Sequence, residues 1–383
     1  MSKSNHSEAR PPLSSPIRNR VVWVFFSPLL LPILVAVLYQ IDPFDPKPLP
    51  DHDLFHGSLP VPFKNTHVLR RPERVGEGFL LGPEDLAYDS EARILYTGCG
   101  DGWIKRVIVD KPVTDTVIES WVNTGGRPLG LALSTASKEV IVADAEKGLL
   151  SVSEDGATKV LTDEAEGVKF KLTDGVDVAK DGMIYFTDAS YKYRLEEFIY
   201  DILEGKPHGR FLSYNPSTKE TKVLAQDLYF ANGVAVSADQ TFVIFCETVV
   251  RRCSRYYIQG ERKGFTDIFI ENLPGMPDNI RYDGEGHYWI TMATAITFSW
   301  KQALKYPFIR KILGMMVKYM GRRPSMEKDG GALKVDLEGN PQAHYYDAEI
   351  AGMVTSGLKI GNYLYRGSLL YSYLTRFDLS KFI

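Results

Sequence analysis

Six segments of the chain repeat one pattern, and no other feature of the sequence narrows the possible folds as far. They are PEDLAYDSEARILYTG (83–98), PLGLALSTASKEVIVAD (128–144), TDGVDVAKDGMIYFTD (173–188), ANGVAVSADQTFVIFCE (231–247), PDNIRYDGEGHYWITM (277–292) and TSGLKIGNYLYRGS (355–368). Each opens on polar or turn-forming residues, alternates apolar residues with a period of two, turns, and closes in a short apolar run, which reads as two adjacent strands. The second residues of five copies are Glu84, Leu129, Asp174, Asn232 and Asp278, with Ser356 in the sixth, so the copies lie 45, 45, 58, 46 and 78 residues apart. A unit of about 40–50 residues with several short strands is a propeller blade, because a four-stranded sheet cannot bury its faces without neighbours. The spacing predicts an all-β, six-bladed β-propeller. Both long intervals hold helical insertions, Leu195–Gly205 with Leu195, Phe198, Ile199, Ile202 and Leu203 at helical spacing, and Trp300–Tyr319, broken by Pro307. They are expected to cap one face of the ring.

Ahead of the repeats, Val21–Tyr39 runs nineteen residues without a charge, close to the roughly 20 that a helix needs to cross a bilayer. Lys3, Arg10, Arg18 and Arg20 precede it and Asp42, Asp45 and Asp51 follow, which puts the N-terminus in the cytosol. A cleaved signal peptide fits less well, since its apolar region spans about 7–15 residues before a small-residue site. The expected organisation is a cytosolic tail (1–20), one N-terminal transmembrane helix as signal anchor (21–39), a proline-rich spacer (40–74) and the propeller (75–383). That describes a single-pass type II membrane protein of the endomembrane system, with the endoplasmic reticulum expected before the vacuole or the secretory route. The Asn5-His6-Ser7 sequon then faces the cytosol, and no glycosylation is expected.

With 45 Lys plus Arg against 48 Asp plus Glu, nothing calls for a polyanionic partner, and nucleic acid is excluded as an expectation. Cys99, Cys246 and Cys253 fit no CxxC spacing, which argues against zinc and redox chemistry. Cys246 and Cys253 flank Val249-Val250 and face each other across a hairpin; free buried thiols are expected there, because such cross-strand bridges are often strained. His287 and Trp289 are expected to be packing residues in a strand. Phe298–Arg323 carries Lys301, Lys305, Arg310, Lys311, Lys318, Arg322 and Arg323 and no acidic residue. This stretch reads either as a membrane-surface helix or substrate lid, or as solvated lysines around a helix packed on the ring.

In a propeller the innermost strands line a central tunnel, so residues at one repeat position converge on the axis. Here those are Glu84, Leu129, Asp174, Asn232, Asp278 and Ser356. Three carboxylates and an amide brought together there repel one another or lose hydration unless a positive charge compensates. Ca²⁺ takes about six to eight oxygens with flexible geometry, whereas Mg²⁺ demands near-octahedral order and retains more water. Glu84, Asp174, Asn232 and Asp278 are therefore candidate calcium ligands, set against the plainer reading that Asp and Asn begin turns at strand ends.

On ENLPGMPDNIRYDGEGHYWITM (271–292), GPEDLAYD (82–89), GRPLGLAL (126–133), LTDGVDVAKDGMIYFTD (172–188) and ANGVAVS (231–237), the chain resembles the strictosidine synthase-like family across most of residues 75–379. Within it, the chain is similar to the branch of adipocyte plasma membrane-associated protein and its plant relatives. The resemblance implies a six-bladed propeller, related more distantly to gluconolactonases, paraoxonases and organophosphate hydrolases, with a type II anchor in this branch. In those calcium hydrolases a Glu of the first blade, two Asn of middle blades and an Asp in a Pro-Asp-Gly/Asn segment hold the catalytic ion. Glu84, Asn232 and Asp278 match three of these. At the fourth position Thr173-Asp174 stands where the relatives have Asn followed by Asp, so the resemblance implies that Thr173 meets the ion only through water.

Pro128-Leu129-Gly130 stands where paraoxonases carry Pro-His-Gly with a functional His, and that His-assisted mechanism does not carry over. Strictosidine synthase manages protons in a Pictet–Spengler condensation with a Glu of the final blade, but Ile350–Phe377 contains no acidic residue and an ungapped match puts Thr355 there. The leading expectation is a membrane-anchored lumenal hydrolase of small-molecule esters or lactones, calcium-dependent, with Asp278 or Asp174 as base or nucleophile. The alternative is a noncatalytic binding propeller with a structural ion; Pictet–Spengler condensation ranks third.

Overall fold

The computed structural model describes residues 32–34, 36–50, 59–64, 72–109, 112–324, 328, 330–346 and 352–382, in two compact units, Met1–Phe44 and Asp45–Ile383. In the first unit, residues 32–34 and 36–41 are helical. Among the described residues no helix is long and apolar enough to cross a membrane; positions 21–31 and 35 of the expected span lie outside the described residues.

The second unit is a ring of six antiparallel sheets. Named by first and last strand, the blades run Leu86–Asp89 to Ile118–Asn123, Pro128–Leu133 to Thr158–Thr162, Thr173–Val178 to Glu220–Leu228, Ala231–Val236 to Thr266–Ile270, Gly275–Tyr282 to Pro341–Tyr345, and Val354–Ile360 to Leu374–Asp378. Every repeat falls on the two inner strands of its blade, as the alternation predicts. Apolar clusters such as Ile141, Ala143, Val176, Phe186 and Leu212 fill the space between neighbouring blades. The first strands of successive blades pack on one another around the axis.

The ring closes through a segment read from the sequence as spacer. Glu73–Val75 pairs antiparallel with Leu374–Asp378 as the outer strand of the sixth blade, and Phe63–Lys64 runs parallel to Pro341–Tyr345 on the fifth. The propeller therefore begins before residue 75. An open outer edge exposes a row of unpaired backbone groups, and a three-residue strand satisfies them while being too short to show alternation. The strands that close the ring all lie within Asp45–Ile383, which makes that unit self-contained.

The expected helices are present. A 3-10 turn, Leu195–Glu197, leads into α1 (Phe198–Glu204), inserted in the third blade; α2 (Phe298–Lys305) and α3 (Pro307–Met320) are inserted in the fifth. Thr297 caps α2 by accepting from the Trp300 amide at 3.3 Å. Pro307 opens α3 at a position where its missing N–H is harmless. Arg310, expected among the surface cations, is instead fully buried. Its guanidinium donates to the carbonyls of Ala303 and Leu203 and of Lys47, tying α2, the end of α1 and the chain before the ring into one cap; burial lowers its pKa to about 10. Gly205, which ends α1 at φ 60°, also leaves room for that guanidinium.

Two smaller expectations change. Cys246 and Cys253 form a disulfide, because the register of the hairpin sets them directly opposite; Cys99 alone is free, and buried. Trp289 packs in the core as expected, whereas His287 lies in the turn before its strand.

The innermost strands approach so closely that a Cβ on Gly233 would lie 2.6 Å from Asn279 Cα, the Asp278 carbonyl oxygen and Ile280 N. Backbone cannot retreat as a flexible side chain can, and overpacking of this kind costs about 1–3 kcal/mol. Gly233→Ala is expected to lower Tm by roughly 3–8 °C in a scanning calorimetry trace, at about 2–4 °C per kcal/mol for large domains; an unchanged Tm would show that the axis is looser than described.

Candidate metal centre

Five of the six repeat-opening residues converge. Glu84, Leu129, Asp174, Asn232 and Asp278 line one cavity of about 40 Å³ on the axis. Glu84, Asp174 and Asp278 are buried and each brings a carboxylate oxygen to within 4.8 Å of the others, the one such acidic cluster found among the described residues. The side chains come from the starts of the inner strands of blades one, three, four and five, whose backbones the glycine contacts hold together. Ser356 does not line the cavity; its hydroxyl and that of Thr355 both donate to the Glu84 carbonyl at 2.7 Å. Thr173 is buried beside the cluster but absent from the cavity wall, where Asp174 stands.

The neighbours of the cluster orient it without neutralising it. Asn279 donates to Glu84 Oε1 at 2.8 Å. Thr248 donates to the Pro277 carbonyl at 2.7 Å and accepts from Asn232 Nδ2 at 3.4 Å, a bond that uses the nitrogen of the Asn232 amide and not its oxygen. Arg127 donates to the carbonyls of Gly82, Gly98 and Pro128, and Arg281 pairs with Asp85 and the carbonyls of Val176 and Leu131.

Glu84 Oε2 and Asn232 Oδ1 have no hydrogen-bond partner although both are buried. Burial, and then the charge of Glu84, push the carboxyls of Asp174 and Asp278 well above the usual range. Burial likewise pushes Glu84 up to about 6, against the pull of Arg127 and Arg281. Carboxylates in such a setting need a cation or must hold protons. Four oxygen-bearing side chains with two orphaned acceptors fit a hard cation of the calcium type, whose remaining coordination sites water can fill.

Several functional residues were not singled out from the sequence. Asn279 and Asp85 hold the cluster and the tunnel below it, and both occupy the repeat position where other copies carry Gly130, Gly175, Gly233 and Gly357. That departure from glycine was the available signal. Leu195, Phe198 and Ile202 of the first insertion, with Phe230, Met276, Met353 and Leu369, make most of the rest of the cavity wall, and Thr248, Ala293 and Thr294 complete it. The insertion caps this mouth of the tunnel as expected.

Ring, buried acidic cluster and helical roof define a six-bladed propeller with a candidate metal centre at one end of its tunnel. Two Arabidopsis thaliana proteins, strictosidine synthase-like 6 and strictosidine synthase-like 4, are each 53% identical to this chain over 363 residues, covering 94% of it and 96% of the relative. Adipocyte plasma membrane-associated protein of Gallus gallus is 31% identical over 92% of this chain and 88% of its own. Family profiles described as strictosidine synthase and as strictosidine synthase-like, N-terminal, match residues 174–261 and 62–107. The chain belongs to the strictosidine synthase-like family. Among solved structures, a gluconolactonase from Xanthomonas campestris covers 88% of this chain with a TM-score of 0.57 at 15% identity, with 99% of its own chain matched. The calcium-binding protein regucalcin from Agrobacterium tumefaciens covers 84%, with 95% of its own, at a TM-score of 0.51 and 14% identity. These two likenesses speak for the fold.

Binding to the folded state alone stabilises it by about 2.7 kcal/mol at a ligand concentration one hundred times Kd. Saturating Ca²⁺ is expected to raise Tm of chelator-treated protein by several degrees, and Asp278→Asn to remove most of that rise. A thermal trace indifferent to Ca²⁺ would count against the centre.

Proposed function

We propose that this propeller is a calcium-dependent hydrolase of small-molecule esters or lactones. The observation that carries the reading is the buried cluster of Glu84, Asp174 and Asp278 beside the orphaned Asn232 oxygen, inside a cavity whose remaining wall is mostly apolar. Glu84, Asp174, Asn232 and Asp278 would hold the ion, which when bound supplies Lewis-acid polarisation of a substrate carbonyl. The chain contributes the rest. Asp278, with Asp174 beside it, takes the proton of an attacking water at a carboxylate oxygen and returns it to the alkoxide as the acyl C–O bond breaks, or attacks the carbonyl itself, expelling the alkoxide and leaving an acyl-carboxylate that water then cleaves. Thr355, Ser356 and Asn279 keep Glu84 in place, and Leu129, Phe198, Ile202, Phe230 and Met276 exclude bulk water and pack the apolar part of the substrate. The fold neighbours include a gluconolactonase, so the same ring is used by a protein named for a lactone substrate.

A second reading, a noncatalytic propeller whose ion ties the blades together, has its own support. A cavity of about 40 Å³ accommodates an ion and a few waters, not an ester, unless the roof moves. Pictet–Spengler condensation is not proposed, since Thr355 bonds to the Glu84 carbonyl and, among the described residues, no acidic residue of the sixth blade lines the cavity.

Hydrolysis of a panel of aryl esters and lactones should require Ca²⁺ and fall roughly 10²–10⁴-fold in Asp278→Asn with Tm in chelator unchanged or higher, the range general-base losses span. Calcium-dependent stabilisation without turnover of any panel member would select the second reading.

The N-terminal run is proposed to anchor the chain as a type II protein, with Asp45–Ile383 in the lumen, the endoplasmic reticulum being the first compartment to test. The Cys246–Cys253 disulfide supports an oxidising compartment. In sealed microsomes, a C-terminal epitope should survive protease until detergent is added, while an N-terminal epitope is lost. The opposite protection pattern would reverse the topology.

A further inference from the structure

Helix α3 carries its apolar residues on two sides. The side that faces the protein carries the buried Arg310 and Gly314, and the buried Met315 borders the exposed stripe on its other flank. At 100° per residue, Phe308, Ile312 and Tyr319 fall within a 40° stripe elsewhere on the helix, with the half-buried Met316 and Ile309 and then Met320 continuing it to one flank. That stripe is solvent-exposed: Phe308 is 52% accessible, Ile312 44%, Tyr319 51% and Met320 59%. Phe298, at the start of α2, is 77% accessible. A helix packed on a domain ordinarily turns polar residues to water, and an apolar exposed patch of this continuity marks an interaction surface.

The charges around the stripe identify its occupant. Lys301, Lys305, Lys318, Arg322 and Arg323 are all exposed, and residues 298–323 contain no Asp or Glu. Amphipathic helices with aromatic and aliphatic residues on one side and lysine or arginine flanking them lie in the headgroup region of a bilayer, where the apolar side enters the acyl boundary and the cations meet phosphates. The chain's uncharged run Val21–Tyr39, read as a membrane anchor, puts a bilayer within reach of the spacer that follows it.

We propose that the α2–α3 insertion docks on a phospholipid bilayer, with Phe308, Ile312, Tyr319 and Met320 entering the headgroup boundary and the flanking cations contacting lipid phosphates. The opposite side of α3 packs on α1, and Arg323 donates to the Glu196 carbonyl and lies over the Phe198 ring. Phe198 is part of the roof of the axial cavity. The docked insertion thus sits one helix away from the candidate metal centre.

The test uses both the self-contained unit and the full chain. Asp45–Ile383 should float with vesicles of phosphatidylcholine containing 30 mol% phosphatidylglycerol (about one lipid in three, enough charge for the electrostatic contribution of interfacial binding) and more weakly with phosphatidylcholine alone. The triple substitution Phe308→Ser, Ile312→Ser, Tyr319→Ser should reduce flotation at least tenfold while the protein still unfolds in one cooperative transition, since about half of each side chain is exposed. In the full chain reconstituted in the same vesicles, a nitroxide on Ile312→Cys should be relaxed more by lipid-soluble oxygen than by a water-soluble nickel chelate, and one on Val160→Cys, in the second blade, the reverse. An aqueous signature at position 312 overturns the proposal. So does vesicle-independent dimerisation in sedimentation that the triple substitution abolishes, because it assigns the stripe to a second copy of the chain.

Discussion

The close approach of six innermost strands around one axis is the constraint on which the rest of the molecule depends. Gly130, Gly175 and Gly233 each press against the backbone of the next blade, and a side chain there would force the strands apart. Because they cannot spread, the residues that immediately precede these glycines project into a space only about 40 Å³ in volume. Carboxylates are thereby concentrated away from bulk solvent. The electrostatic cost of that concentration is what makes the site chemically interesting, since burial raises their affinity for protons and for hard cations alike.

The two exceptions to the glycine rule show how the ring manages this cost. Asp85 replaces glycine in the first blade and accepts from the Leu131 amide at 2.9 Å while pairing with Arg281 of the fifth. Asn279 replaces it in the fifth blade and bonds to Glu84. Both therefore join the first and fifth blades, far apart in sequence, and Asp85 also ties the first blade to its neighbour through Leu131. Arg281 sits below the cluster, and desolvation lowers its pKa to about 10. A buried ion pair of this kind is weak evidence for stability, because desolvation offsets much of the attraction. Its consequence is geometric: it fixes the register in which Glu84 and Asp278 meet.

Much of this was legible in the sequence, for a physical reason. A propeller repeats one local solution, so period-two alternation and a 45-residue spacing expose the blades, and equivalence of position exposes Glu84, Asp174, Asn232 and Asp278 as neighbours. What stayed hidden depends on single pairings. Glu73–Val75 closes the ring with three residues, too few to carry a period. Arg310 reads as one more surface cation, yet the carbonyls of Leu203, Ala303 and Lys47 surround it. Cys246 and Cys253 become bonded because strand register sets them opposite, which their symmetric spacing suggested, while their oxidation state depends on environment.

Catalytic and noncatalytic readings of the centre differ in whether the roof moves. Its C-terminal end is strongly held: Ser190 donates to Asp201 at 2.5 Å, His208 lies 3.0 Å from the same carboxylate, Lys192 and Lys206 pair with Glu204, and Arg310 binds the Leu203 carbonyl. Asp201 and Glu204 are themselves buried, so breaking this network strands charges in a poor solvent. The N-terminal end, Leu195 to Phe198, contributes the cavity-lining side chains of Leu195 and Phe198 and is touched by Arg323, three residues beyond the end of α3. A substrate larger than the cavity requires the roof to open, and the Leu195–Phe198 end, whose side chains line the cavity, is the end that touches the second insertion through Arg323. A structural ion needs no such asymmetry, because a roof that only excludes water is best held at both ends.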